Sequence, residues 1–295
     1  MIRIGIIGTE NSHAMAFAKY FNLPDTVTGE VPFEDIRVTA VMGSEQSTAA
    51  IMEKTGVQTC CRTAEEMAQQ VDAVMIVNQK GSVHYENAMP FVEKGMPIFV
   101  DKPFTSDVRQ AEDLYAKMQA HGCKVMGGSG LKYVEGIEKT AQLVKQLREE
   151  GTFVSGAMNF IMIMESEHDG IFFYASHLVE MCMAAFGSDI KALQAVRNGG
   201  SMIVVMQYEN DSVALHFNRD GLKYGTMLYT TKEYYCVDTE VDIFNIYDTY
   251  AHEAGLFAQM IHGEAEPLDE QALILPVKIV AAIDESLKTG KLVTL

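Results

Sequence analysis

Three short stretches hold residues whose types and spacing can do chemistry. The first, Gly5-Ile6-Ile7-Gly8-Thr9-Glu10-Asn11-Ser12-His13-Ala14, comes straight after Met1-Ile2-Arg3-Ile4. An apolar strand that runs into a Gly turn and then a helix is where a dinucleotide rests its pyrophosphate, on the helix N-terminus. The second is Asp101-Lys102-Pro103, which closes the apolar run 97–101. It puts an ammonium at a strand's carboxyl end, where open α/β sheets bind ligands, and Pro103 fixes the direction in which the chain leaves. The third is His177, inside the apolar stretch 170–187. An imidazole titrates near neutrality and can accept the proton of a hydroxyl.

The first stretch departs from the dinucleotide fingerprint G-x-G-x-x-G: counted from Gly8 it reads G-T-E-N-S-H. In the standard pattern the second Gly lets the backbone approach the pyrophosphate, and the third lets helix and strand pack closely. Glu10 holds the second position. A carboxylate about 4 Å from a phosphate charge costs on the order of 4 kcal/mol at an effective dielectric near 20, and about 1 kcal/mol in water. The cost is small if Glu10 turns to solvent. His13 holds the third position and should push the helix outward. Gly8, Thr9, Asn11, Ser12 and the free N–H groups of the helix N-terminus still offer an anion site. The second strand should end in an acid that binds the ribose 2′-hydroxyl, but here it ends in Gly43 and Ser44, with Glu45 next. No Arg stands nearby to favour a 2′-phosphate, so NAD and NADP both stay open.

The surrounding elements are those such a site requires. Over the first 125 residues strands at 2–7, 36–43, 72–78, 97–101 and 124–130 alternate with helices at 12–22, 63–70, 84–95 and 107–122. The helices have caps at Ser12, Thr63 and Thr105 or Ser106. Repeated β-α units predict a parallel doubly wound sheet of the Rossmann class. A polar insertion fills 25–35. After about residue 150 the pattern changes to strands at 153–164, 201–210, 212–218 and 225–231, with turns at Asn210-Asp211 and Asp220-Gly221 and one clear helix at 174–187. This predicts a C-terminal α+β domain with a mostly antiparallel sheet. The class is therefore α/β, with domains at 1–125 and 126–295, and with a last helix at 269–290 that should kink at Pro276. Both alternating faces of Asn159-Phe160-Ile161-Met162-Ile163-Met164 are apolar, so a second copy is expected on the sheet face opposite the helix, giving a homodimer or homotetramer.

Composition narrows the partners. The chain has 295 residues with 23 Lys+Arg against 40 Asp+Glu, a formal charge of −17. Such a surface repels nucleic acid and anionic membranes. No run reaches the roughly 18 apolar residues needed to span a bilayer. The opening residues read as a core strand instead of a secretory signal, and the five cysteines fit no zinc spacing or disulfide framework. A cytoplasmic protein with reduced thiols and no metal is expected.

The ordered set 4–8, 72–107, 170–187 and 257–293, with Asp101-Lys102-Pro103 and His177 as its most specific members, resembles the glucose–fructose oxidoreductase / inositol dehydrogenase (Gfo/Idh/MocA) family. That resemblance implies a nicotinamide-dependent oxidoreductase acting on a small sugar, polyol or related carbonyl compound. It implies Lys102 beside the nicotinamide and the reacting hydroxyl, and His177 as the proton acceptor. Asn78 stands where the family has Thr at a strand end, with Gln79 following, and could meet the nicotinamide ribose. His84 matches a family His at a helix start, where packing or capping is expected. One turn before His177 the family has an Asp; here it is Phe173. Glu180, three residues on, is the expected substitute, Tyr174 a donor to substrate, and Lys132 and Tyr133 further lining of the cleft. The altered positions Glu10, His13, Gly43 and Phe173 leave room for a ligand-binding or regulatory relative. Nicotinamide-assisted lyase or hydrolase chemistry is a third option.

Overall fold

The computed structural model describes residues 1–26, 28–219, 224–239 and 247–295. The expected turn at Asp220-Gly221 lies outside them. In chain order the first elements are β1 (Ile2–Ile7), α1 (Ser12–Asn22), β2 (Ile36–Met42), α2 (Glu45–Thr55), β3 (Thr59–Cys60), α3 (Ala64–Met67), β4 (Ala73–Ile76), α4 (His84–Val92), β5 (Ile98–Asp101), α5 (Val108–Ala120) and β6 (Val125–Gly128). Then come α6 (Glu135–Glu149), β7 (Phe153–Ile161), α7 (Ile171–Phe186), β8 (Ala192–Asn198), β9 (Ser201–Gln207), β10 (Ser212–Asn218), β11 (Gly225–Thr230), β12 (Tyr234–Asp238), α8 (Tyr247–His262), α9 (Glu270–Thr289) and β13 (Val293–Thr294).

The chain forms two compact units, Met1–Gly128 with Tyr247–Leu273, and Ser129–Ile246 with Ile274–Leu295. A division at residue 125 places 247–273 with the second domain; by contacts this segment groups with the first. The reason is packing: α8 lies on α1 and β6, and Phe257 of α8 meets the ring of Phe99 at 5.9 Å, which in turn meets Phe17 at 5.3 Å. All three rings are fully buried.

The first unit is a parallel sheet in the order β3-β2-β1-β4-β5-β6. This is the doubly wound Rossmann order, whose direction reverses between β1 and β4, and ligands bind outside the carboxyl ends of the strands at that point. β4 and β5 are wholly buried, as their continuous apolar runs require. Two caps differ from expectation. Asn11, not Ser12, caps α1, its side chain accepting the His13 N–H, and Asp107, not Thr105 or Ser106, caps α5 by accepting from Gln110. Asn and Asp cap as well as Ser does, and here they stand at the residue just before the first helical turn.

The second unit is a sheet ordered β12-β11-β7-β10-β9-β8-β13, antiparallel except where β7 and β10 run parallel. Alternate residues of β7, β9 and β10, among them Phe160, Met202, Val204, Leu215 and Phe217, join Val144 and Leu147 of α6, Leu178 and Val179 of α7 and Ile279 and Ile283 of α9 in one core. The opposite face keeps Ile203, Val205 and Tyr229 exposed. Pro276 lies inside α9, which continues through it.

Candidate active site

The loop after β1 begins with Gly8 at φ 101°, a conformation in which an L side chain is strained; a Cβ there would also fall 2.4 Å from the Asn78 nitrogen. Thr9 is buried, and its hydroxyl lies 2.8 Å from Ser47 Oγ and 3.0 Å from Thr48 Oγ1 on α2. That packing explains Gly43, where a Cβ would fall 2.0 Å from Thr9 Oγ1. An acid at the end of β2 has no space while Thr9 occupies it. Ser44, a candidate ribose contact, caps α2, its Oγ accepting the Ser47 N–H and lying 2.6 Å from Ser47 Oγ. Glu45 is the first residue of α2 and is exposed.

Glu10 is exposed, and its carboxylate accepts a hydrogen bond from Asn78 Nδ2 at 3.0 Å. Asn78 Oδ1 accepts in turn from Asn87 at 2.9 Å. The charge that most opposes a pyrophosphate is thus tethered to the exit of β4. Asn11 Nδ2 donates to Val77 O at 2.8 Å and to Asp101 Oδ2 at 3.1 Å, joining the loop to β4 and β5. Ser12 Oγ lies 3.5 Å from the Tyr250 hydroxyl.

His13, in the place of the third glycine, meets Asp101: Nδ1 stands 2.7 Å from Oδ2, and Asp101 is fully buried. The two form an ion pair when the imidazole is protonated. The ring also packs on Tyr250, with centroids 4.4 Å apart. Burial alone would push the Asp101 carboxyl up. His13, together with Lys102 and its backbone N–H at 2.7 Å, outweighs burial and holds the carboxyl below the usual range. Lys102 itself is 3 % exposed and precedes Pro103 through a cis bond. His84 is a tie between strand exits, with Nδ1 2.9 Å from Pro103 O and Nε2 2.9 Å from Asn78 O. Its burial lowers its pKa. The loop fits an anion: α1 presents its N-terminus at the switch point, and the carboxylate beside it is held by Asn78.

In the second unit α7 carries Phe173, Tyr174, His177 and Glu180 at three- and four-residue steps, so they share one side of the helix. Phe173 packs its ring on His168 at 5.0 Å and on Tyr174 at 4.9 Å. His177 Nδ1 is hydrogen-bonded to Ser129 Oγ at 2.7 Å, and its ring lies 5.5 Å from that of Phe160. Glu180, expected to hold His177, takes another part: its Oε2 accepts from Lys132 Nζ at 2.9 Å and from the Ser129 N–H at 2.8 Å. The Lys132 ammonium also lies over the Tyr133 ring at 5.2 Å. Glu180 is 5 % exposed, so this ion pair is a buried one.

Two residues of this cluster escaped the sequence reading. Ser129 falls within 124–130, which reads as a strand in sequence. Tyr224 precedes β11; its ring stacks on Phe160 at 4.5 Å, and its buried hydroxyl has no hydrogen-bond partner. Burial, with Tyr174 nearby, pushes its phenol up to about 12. Only an unpartnered buried hydroxyl marks it, and burial is not visible in sequence. Among the described residues no group of three His, Cys, Asp or Glu is placed to hold a metal, and no helix is long and apolar enough to cross a membrane.

Residues 2–129 match the family model described as oxidoreductase family, NAD-binding Rossmann fold, of the Gfo/Idh/MocA type. That match spans the first sheet, β1 to β6. Solved structures of the same fold include scyllo-inositol dehydrogenase from Lactobacillus casei with bound NAD(H) and scyllo-inositol, 15 % identical, covering 100 % of this chain and 99 % of that one at TM-score 0.83. Myo-inositol dehydrogenase from the same organism, with NAD(H) and myo-inositol, is 14 % identical over 100 % and 97 % of the two chains at TM-score 0.81. Myo-inositol dehydrogenase from Corynebacterium glutamicum is 17 % identical over 100 % and 99 % at TM-score 0.80. No curated protein sequence matches the chain.

Proposed function

We propose that the protein is an NAD-dependent dehydrogenase that oxidises a CH–OH group of a small polyhydroxylated substrate, a sugar or cyclic polyol. The observation that carries this reading is Lys102, buried at the carboxyl end of β5 and braced by Asp101, in a sheet whose first loop is shaped for a pyrophosphate. Gly8, Asn11, Ser12 and the α1 N-terminus would hold the pyrophosphate, and by the family resemblance Asn78 would meet the nicotinamide ribose. Bound NAD supplies the hydride acceptor. By the family resemblance Lys102 would orient the substrate oxygen and stabilise the alkoxide; by the same resemblance His177, whose Nδ1 lies 2.7 Å from Ser129 Oγ, would take the hydroxyl proton at Nε2. Lys132, Tyr133 and Tyr174 belong to the substrate-facing set, with Glu180 fixing Lys132.

The test is a panel of inositols, sugars and linear polyols with NAD, read by reduced-nicotinamide absorbance, in wild type and Lys102→Met. Turnover with one class, lost in the variant, supports the reading; NAD binding without turnover on any class sinks it. That second outcome would favour a ligand-binding relative, a reading that Phe173 in place of a carboxylate supports. The exposed apolar face of the second sheet is assigned to a second copy of the chain, and the five free cysteines suit a reducing, cytoplasmic setting.

A further inference from the structure

The helical turn before His177 offers an aromatic ring where a carboxylate could have gripped Nδ1, yet Nδ1 is gripped. We propose that Ser129 is the positioning residue of His177, and that Glu180 and Lys132 serve the reaction by fixing Ser129. This rests on the reading of His177 as the proton acceptor.

Ser129 is 1 % exposed and fixed from three sides. Its backbone N–H donates to Glu180 Oε2 at 2.8 Å, and that carboxylate is neutralised by Lys132 Nζ at 2.9 Å. Its Oγ accepts the Leu131 N–H at 3.3 Å, capping the short turn Gly130–Tyr133. The 2.7 Å contact to His177 Nδ1 completes the set. With one lone pair of Oγ given to Leu131, the hydroxyl keeps its O–H and a second lone pair for the imidazole.

The two candidate partners differ in what they permit. A carboxylate only accepts, so it would pin the imidazole proton on Nδ1 and leave Nε2 as a base. A serine hydroxyl accepts from Nδ1–H or donates to a bare Nδ1 without moving the ring. In the first arrangement Nε2 takes the proton of a substrate hydroxyl, and the imidazolium still donates from Nδ1 to Ser129. In the second, Nε2 already carries a proton and cannot act as the base; carbonyl reduction runs from the imidazolium, which gives its Nε2 proton to the carbonyl while Nδ1–H stays on Ser129. The same ring orientation therefore serves alcohol oxidation and carbonyl reduction. Among the described residues, ionisable groups near the pair include Tyr174 one turn earlier on α7, Tyr224 behind Phe160, His168 beyond Phe173, the Lys132–Glu180 ion pair and Tyr133 under the Lys132 ammonium.

The experiment is nitrogen NMR of the full-length protein labelled at histidine, without cofactor or substrate, with the His177 signals identified by their loss in His177→Gln. Ser129→Ala should change the Nδ1-H to Nε2-H ratio of neutral His177 by about two- to tenfold, the amount one hydrogen bond supplies. Ser129→Thr, which keeps the hydroxyl, should restore the wild-type ratio. Ser129→Asp should drive the proton to Nδ1 and raise the pH at which His177 titrates, which keeps the test open if the alanine variant does not fold. A wild-type ratio in Ser129→Ala, an equal change in Ser129→Thr, or no change in Ser129→Asp overturns the proposal. Because no substrate is present, the result stands apart from turnover. Full turnover in His177→Gln would remove the functional reading and leave the tautomer result intact.

Discussion

His13 Nδ1 lies 2.7 Å from the buried Asp101 Oδ2, linking the loop after β1 to the end of β5. The same oxygen accepts from Asn11 at 3.1 Å. Two residues of the altered fingerprint, Asn11 and His13, thus share one carboxylate, which belongs to the residue before Lys102. The loop and the lysine turn are one mechanical piece, and a change in either should be felt in the other.

Asp101→Asn should therefore cost about 3 kcal/mol of stability, as the loss of one partner of a buried pair does. Because the folded-state carboxyl titrates below its unfolded value, its contribution is fully present above roughly pH 4 and fades as pH falls through the folded value. Urea unfolding across this range should show wild type and variant converging in acid. A constant gap down to the lowest pH reached would contradict the pairing.

Glu10 is the one formal charge opposed to the pyrophosphate in this loop. Glu10→Gln keeps an acceptor for Asn78 Nδ2 and removes the charge. NAD should bind up to about tenfold more tightly in the variant at low salt, with the gain shrinking as salt screens exposed charge. Titration calorimetry at two ionic strengths reads this directly. Equal affinities at low salt would mean that the tether already carries the carboxylate clear of the ligand.

Gly43→Asp restores the acid usual for a bound NAD ribose, yet should lower NAD affinity. The new Cβ must displace the Thr9 hydroxyl and approach the Thr9 nitrogen, which a Cβ would meet at 2.7 Å. A loss of about 1–3 kcal/mol from overpacking is expected. Melting temperature and NAD affinity should fall together.

Lys102→Met keeps most of the buried side-chain volume and removes the ammonium. Turnover should drop by about 10²- to 10⁴-fold while the protein stays folded. Steady-state kinetics beside a thermal melt separate these effects, and a variant that melts early and turns over normally would count against a catalytic Lys102.

Val205→Glu places a charge on the exposed apolar face of the second sheet, the face that also carries Ile203 on the same strand and Tyr229 on β11. The variant should elute as a monomer in light scattering while the wild type elutes as a larger species. A wild-type monomer would remove the second copy from that face.

The sequence alone was enough for the local elements of the first unit. β1, β4 and β5 are short apolar runs closed by turn residues, and their order along the chain already implies a parallel sheet. The Asp101-Lys102-Pro103 turn and His177 were legible for the same reason, since each is recognised by its immediate neighbours. What tertiary structure decided lies in contacts between distant residues. Gly43 reads as a missing acid until Thr9 is seen filling its space, and His13 as a misfit until Asp101 is seen beside it. Glu180 is the nearest acid to His177 on the helix, yet its charge goes to Lys132, and a serine from the start of the unit takes the imidazole. The α8 segment groups with the first unit through Phe257, although it follows the second sheet in the chain. Periodicity reports which side of an element is apolar; it carries no record of the side chain that meets it, because partners are chosen by the packing of the whole unit.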